Sequence, residues 1–177
     1  NIDANKEEKF EIILDPEIKE LINDIKKCKN ALFIAEYQQN FIEKIIFVLK
    51  EKVYIVNSEN KVYNSISEII CNNKIFKKTH DVKRLFSVCE NMGFQVQNLV
   101  FDTMLAAYIV NPSAKDYSIK GLANEYNIDI GEYSLNSDLD RGLIEEAILF
   151  SKVLIKLEEE IVLRKQDSLL KRIEIPL

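Results

Sequence analysis

The sequence predicts an α/β fold, a mixed sheet with helices packed on it, and three observations carry that reading. Short apolar runs come first as a meander, with Ile45 to Leu49 and Val53 to Val56 joined by only Lys50-Glu51-Lys52. Strand-like runs then alternate with amphipathic stretches, the pattern of strands connected through helices. A long amphipathic segment near the C-terminus carries Leu143, Ala147, Phe150, Leu154, Leu157 and Ile161, an alternating spacing of four and three that marks a core-facing helix stripe.

Taken in order, Phe10 to Leu14 is a short apolar run suited to an edge strand. Asp15-Pro16 supplies an N-cap and a proline for the first turn of a helix, where the missing N–H costs nothing. That helix presents Ile18, Leu21, Ile22 and Ile25 on one face and ends near Lys29-Asn30. Ala31 to Tyr37 reads as a buried strand, followed by the two strands of the meander. A short helix spans Ile66 to Cys71, and a strand follows at Ile75 to Lys78. The spacing of Val82, Leu85, Phe86 and Cys89 predicts a helix from Asp81 to Met92, closed by Gly93. A strand at Val96 to Phe101 leads into a helix that stops at Asn111-Pro112. A short helix after Tyr117, a polar loop from Asp129 to Asp138 and the long helix complete the chain. No internal repeat or domain boundary interrupts it, so residues 1–177 are expected to form a single domain.

Composition limits the function. The 177 residues are 47% hydrophobic and 30% charged, which is a globular balance. A net charge of −5 disfavours a protein whose main task is holding a polyanion, so direct DNA binding is expected to be weak or absent. Cys28, Cys71, Cys89 and His80 lack zinc-ligand spacing, and three scattered cysteines do not make a disulfide framework. No run approaches the ~20 apolar residues of a membrane span, and Asn1 to Asn5 does not open a signal peptide. The expectation is a cytoplasmic, monomeric protein with no cofactor and no bound metal. Without an initiator Met, the chain is expected to be part of something longer.

The segment Phe101-Asp102-Thr103-Met104-Leu105-Ala106-Ala107-Tyr108-Ile109-Val110-Asn111-Pro112, followed by Ser118-Ile119-Lys120-Gly121-Leu122-Ala123, resembles the 3′→5′ exonuclease domain of family A bacterial DNA polymerases. The order of elements agrees along nearly the whole chain. Ile173-Glu174-Ile175-Pro176-Leu177 is similar to the join between such a domain and the polymerase thumb. The resemblance implies a ribonuclease-H-like fold with a mixed five-stranded sheet flanked by helices. It also implies a fragment of a larger DNA polymerase I.

The chemistry of that family is two-metal phosphodiester hydrolysis, with ions about 3.5–4 Å apart held by four carboxylates. The first two belong to an Asp-x-Glu on the first strand of the meander, where residues two apart share a face. Here the strand reads Leu32-Phe33-Ile34-Ala35-Glu36-Tyr37, which puts Ala35 and Tyr37 at the carboxylate positions and leaves Glu36 one residue out of phase. The family's Asn-x-x-x-Asp falls on Asp81 and Leu85, and Leu85 lies on an apolar stripe. The family's Tyr and following Asp fall on Arg141 and Glu145, by an ungapped count from the end of the chain. One carboxylate of four is a degenerate site.

Other features have simpler readings. Asp15-Pro16-Glu17 has the Asp-x-Glu spacing, but the proline breaks strand alternation and suits a cap. Asp138-Leu139-Asp140 sits where acids complement the dipole of the long helix. Asp102 is expected to cap its following helix, and His80 to be an exposed or capping residue. Lys74, Lys77, Lys78, Lys83 and Arg84 form a basic cluster suited to solvent, DNA phosphates or the polymerase body. Gly93, Gly121, Gly131 and Gly142 do not make a phosphate loop. Tyr108, Tyr117 and Tyr126 are expected to pack in the core.

The sequence therefore points to an inactive exonuclease-like domain that serves as a structural platform for the polymerase domain of the same chain. Two alternatives are a weak exonuclease using Glu36, Asp81 and Glu145, and a stand-alone nucleic-acid or protein-interaction module.

Overall fold

The computed structural model describes residues 9–59, 61–135 and 138–172. The terminal segments Asn1–Asn5 and Ile173–Leu177, and two residues of the polar loop, lie outside these. The described elements are β1 (Lys9–Leu14), α1 (Ile18–Cys28), β2 (Asn30–Gln38), β3 (Phe41–Leu49), β4 (Lys52–Asn57), α2 (Ile66–Ile70), β5 (Phe76–Thr79), α3 (Val82–Asn91), β6 (Leu99–Asp102), α4 (Thr103–Val110), α5 (Ile119–Glu125), β7 (Glu132–Tyr133), α6 (Arg141–Leu163) and α7 (Asp167–Arg172). A 3₁₀ turn at Lys61–Ser65 precedes α2.

The sheet order is β6-β5-β2-β3-β4-β1-β7. Its first five strands correspond to the expected sheet: β2, β3 and β4 form an antiparallel meander, and β5 and β6 add in parallel beside β2. The expected count of five becomes seven because β1 pairs in parallel with β4 and β7 pairs with β1. Phe10 to Leu14 is thus not the edge strand. β7 has only two residues in a polar loop, with no alternation to read, and the open side of β1 supplies its ladder.

Side-chain alternation along the strands sends two apolar sets to opposite faces. Ala31, Phe33, Ile45, Phe47, Tyr54 and Val56 pack with Leu21 and Ile25 of α1, Ile66 and Ile69 of α2, and Leu85, Val88 and Cys89 of α3. Ile34, Ile46, Val48, Val53 and Ile55 meet Ile144, Ala147, Ile148 and Phe150 of α6, whose later turns pack on α4 and α5. Each Leu, Ile or Phe so buried contributes about 1.5–3 kcal/mol of transfer free energy, which fixes α6 across the sheet as its spacing predicts.

The helix ends differ from the expectation in one place. α1 has Glu17 as its N-cap, with no side-chain cap bond. Asp15 adopts φ 49°, turning the chain out of β1, so the helix starts after Pro16 and not at it. Gly93, at φ 73°, closes α3 as expected, since a left-handed residue there meets no Cβ penalty. Ser118 caps α5 by accepting from the Gly121 N–H at 3.1 Å. A Cβ on Gly121 would stand 2.3 Å from Cγ of the exposed Asp116, whose side chain would have to leave its bond with the Ser118 N–H. The apolar stretch before β6 enters the sheet only at Leu99.

Candidate active site

The position to examine is the C-terminal end of β2, the central strand between β5 and β3. Ala35 packs against the α1–α2–α3 core, and so does the ring of Tyr37. The pairing with β3 shifts between Glu36 and Tyr37, from Glu36 opposite Lys44 to Tyr37 opposite Ile42. That bulge keeps Ile42 inside the core. The Arg84 guanidinium lies over the Tyr37 ring, 5.6 Å from its centroid, and donates to the Gln39 carbonyl at 3.1 Å. The Tyr37 hydroxyl is buried and finds no hydrogen-bond partner among the described residues. Burial, with Cys89 and Asp81 nearby, holds its ionisation well above the usual tyrosine range. Leu85 is 0% exposed in the same core.

Glu36 stands on the opposite face, as its phase predicts, across the strand pair from Lys44. Lys44 Nζ lies 2.5 Å from Asp140 Oδ1, with the two side chains only 22% and 12% exposed. Asp140 is the N-cap residue of α6, but its carboxylate is turned to Lys44 instead of to the helix N–H groups. The hydrogen bond that Lys44 donates to Asp140 raises the Lys44 pKa, with Glu36 and Glu43 adding to it. Glu146 also faces Glu36. Burial lifts its carboxyl above the ordinary range, Lys120 opposes the lift and Glu36 adds to it.

Glu145, the residue reached by the ungapped count, is elsewhere. It accepts a 2.6 Å hydrogen bond from the Tyr133 hydroxyl of β7, at the far edge of the sheet. The residue of α6 that meets the β2 corner is Glu146, which the sequence reading missed. A signal was available, because Glu146 falls three residues after Leu143 and four before Phe150, on the inward stripe. Asp81 caps α3, accepting from the Arg84 N–H at 3.3 Å. Glu36, Asp81 and Glu145 thus sit in three different places. Among the described residues no group of three His, Cys, Asp or Glu side chains is placed to hold a metal ion.

The C-terminal ends of β5 and β6 carry a buried polar node. Asp102, 2% exposed, caps α4 through the Met104 N–H at 3.1 Å, as expected. It also accepts from the Asp81 and Val82 N–H groups at 3.0 and 3.1 Å, so one carboxylate holds the N-termini of two helices. Burial pushes its pKa up to about 6 against the pull of those three donors. His80 is half-buried and not exposed: its Nδ1 lies 2.7 Å from Thr103 Oγ1, and burial lowers its pKa to about 4. Thr79 Oγ1 donates to the Phe33 carbonyl at 2.8 Å, tying β5 to β2.

The basic cluster does not form as one surface. Lys77 is 0% exposed and donates to the Asn72 carbonyl, and Lys78 pairs with Glu158. Only Lys74, Lys83 and Arg84 of that set are exposed. Tyr108, expected in the core, is 52% exposed and meets the half-buried Tyr117 edge-on at 6.0 Å. Tyr126 is packed as expected. The cysteines Cys28, Cys71 and Cys89 are free thiols. No described helix is long and apolar enough to cross a membrane.

Comparison with known proteins agrees with this arrangement. The family model described as DNA polymerase I, ribonuclease H-like domain, matches residues 31–134. DNA polymerase I of Bacillus subtilis strain 168 is 23% identical over 193 aligned positions, covering 99% of this chain and 22% of the relative. The POL domain of Pol1 from M. smegmatis, solved with DNA primer-template and dNTP, superposes with a TM-score of 0.69 at 16% identity, covering 90% of this chain and 29% of that one. NrnC of Brucella melitensis gives 0.62 at 11% identity, over 92% of this chain and 89% of its own. Escherichia coli RNase D, an exoribonuclease involved in structured RNA processing, gives 0.58 at 10% identity, over 93% of this chain and 51% of its own. The chain therefore spans about a fifth of the curated polymerase and under a third of the polymerase structure. At these identities the structural likenesses establish the fold.

Proposed function

The chain belongs to the DNA polymerase I ribonuclease H-like domain family, and from that premise we propose that it is a catalytically inactive 3′→5′ exonuclease-like domain, a structural platform for a polymerase domain in DNA replication and repair. The observation that supports the reading is the packing of Ala35 and Tyr37 on β2 and Leu85 on α3, the residues that the sequence resemblance puts at the carboxylate positions, into one apolar core. An aliphatic side chain offers no oxygen to a hard divalent ion, and a neutral phenol is a poor substitute for a carboxylate. Acids crowded together without a metal repel one another, so their replacement by apolar groups stabilises the domain. The net charge of −5 supports weak or no direct contact with DNA, which would be held by the rest of a longer polymerase. The domain acts as a monomer in the cytoplasm, with the polymerase domain of the same chain as its partner.

The test is a nuclease assay on 3′-labelled single-stranded DNA with Mg²⁺ and then Mn²⁺, using Glu145→Ala and Glu146→Gln proteins purified alongside. No cleavage above those controls is expected. Metal-dependent cleavage abolished by either substitution would overturn the reading and return the domain to the enzymes. Deletion of the domain from a full-length polymerase, with no change in stability or processivity, would overturn the platform role.

A further inference from the structure

The residues at the β2 corner do not fit the pair of divalent ions that the family fold implies. Ala35, Tyr37 and Leu85 replace the carboxylates on one side, and the acids on the other side already face an ammonium group. We infer that Lys44 is the resident cation of this corner: its ammonium, bonded to Asp140 at the head of α6 and set opposite Glu36 across the strand pair, neutralises acidic groups that otherwise repel. The inference rests on the proposed absence of a two-metal centre.

Three arrangements support it. Lys44 is opposite Glu36 in the antiparallel register, so both side chains leave the sheet on the α6 face. The 2.5 Å contact with Asp140 crosses 96 residues of sequence and joins β3 to the first turn of α6. Glu146, half-buried one turn into α6, faces Glu36 from the helix side, with Lys120 of α5 as its own nearby cation. A half-buried lysine that neutralises acids from a strand and a helix does the structural work of a bound ion without depending on ion concentration. It also leaves little reason for a divalent cation to enter.

The experiment is thermal unfolding of the 177-residue chain in EDTA and in millimolar MnCl₂. The wild-type midpoint is expected to agree within about 1 °C between the two conditions, and Lys44→Arg to follow it. Lys44→Gln keeps a donor for Asp140 but removes the charge, so its midpoint in EDTA should fall by about 3–6 °C. MnCl₂ should restore at least part of that loss, because the uncompensated carboxylates then favour a bound cation. The double variant Lys44→Gln/Glu36→Gln should recover part of the loss in EDTA and lose the Mn²⁺ response, which reads the coupling directly. A wild-type midpoint that rises in MnCl₂, a Lys44→Gln midpoint that ignores it, or a double variant no more stable than the single one would each overturn the inference. Should Lys44→Gln fail to fold in both conditions, the double variant decides alone. DNA cleavage by the wild-type chain would instead sink the functional reading, while its absence beside an unresponsive Lys44→Gln sinks only the role of Lys44.

Discussion

Arg84 roofs Tyr37: the guanidinium of the third helix lies 5.6 Å from the centroid of a ring carried by the central strand. The ring fills the core beneath, and its hydroxyl is buried without a partner among the described residues. Tyr37→Phe should therefore leave stability unchanged or raise it by up to about 1 kcal/mol in urea unfolding, because an unpaired buried hydroxyl is removed. Tyr37→Glu, the apparent restoration of a catalytic acid, should cost at least about 2–3 kcal/mol by placing a carboxylate against apolar side chains. Arg84→Ala should lose about 0.5–1 kcal/mol of cation–π contact.

Leu85 offers a sharper version of the same test. It is 0% exposed among α1, α2 and the sheet. Leu85→Ala should cost about 2–5 kcal/mol through lost burial and a residual cavity. Leu85→Asp should cost more, enough to unfold a marginal domain, and far-UV circular dichroism would show it. A folded Leu85→Asp protein that binds Mn²⁺ would contradict the account of this position.

Lys77 is a buried ammonium whose pKa burial lowers from 10.5 to about 8. The folded state thus releases this proton more readily than the unfolded chain does. The resulting penalty is fully present below pH 8 and is relieved as pH rises from about 8 towards 10.5. Lys77→Met should be the more stable protein at pH 7, with its advantage shrinking across that window, measured as the difference between paired denaturation curves.

Asp102 has the opposite sign. Its folded pKa is raised from 3.8 to about 6, so the folded state binds this proton more tightly than the unfolded one. The stabilising contribution is complete below about pH 3.8 and is lost as pH climbs through about 6. Asp102→Asn keeps an acceptor but turns an amide N–H₂ towards one of the three backbone donors. It should cost about 1–2 kcal/mol and flatten the pH dependence of stability between those limits. Asp102→Ala leaves three backbone donors unpaired and should cost more.

How far the sequence was legible follows from which forces act locally. The α6 stripe and the helix over Asp81 to Met92 were readable because periodic burial writes itself into spacing. The central meander was readable because its apolar runs are long, and strand alternation, a rule of two, put Glu36 on the face opposite Ala35 and Tyr37. β7 was not readable, since two polar residues become a strand only when the side of β1 is there to pair with them. The burial of Lys77 was hidden for a related reason: β5 alternation places it opposite Ala31, but its charge argued for the surface until the Asn72 carbonyl accepted from it. Glu146 did not stand out in the sequence, although the helical stripe already pointed inward at that residue. Lys44 is a long-range case, because its partner Asp140 lies 96 residues on.

The placement of β1 has a consequence for how the chain folds as it is made. Glu11 pairs with Lys52, so the first strand to emerge waits for a partner about 40 residues behind it. At a synthesis rate of about 5–20 residues per second that interval lasts seconds, long compared with microsecond hairpin closure in the meander. Its outer side is covered only when Glu132 and Tyr133 arrive. Assembly of this sheet is therefore expected to proceed outward from β2, β3 and β4, with β1 fastened only once that meander has formed.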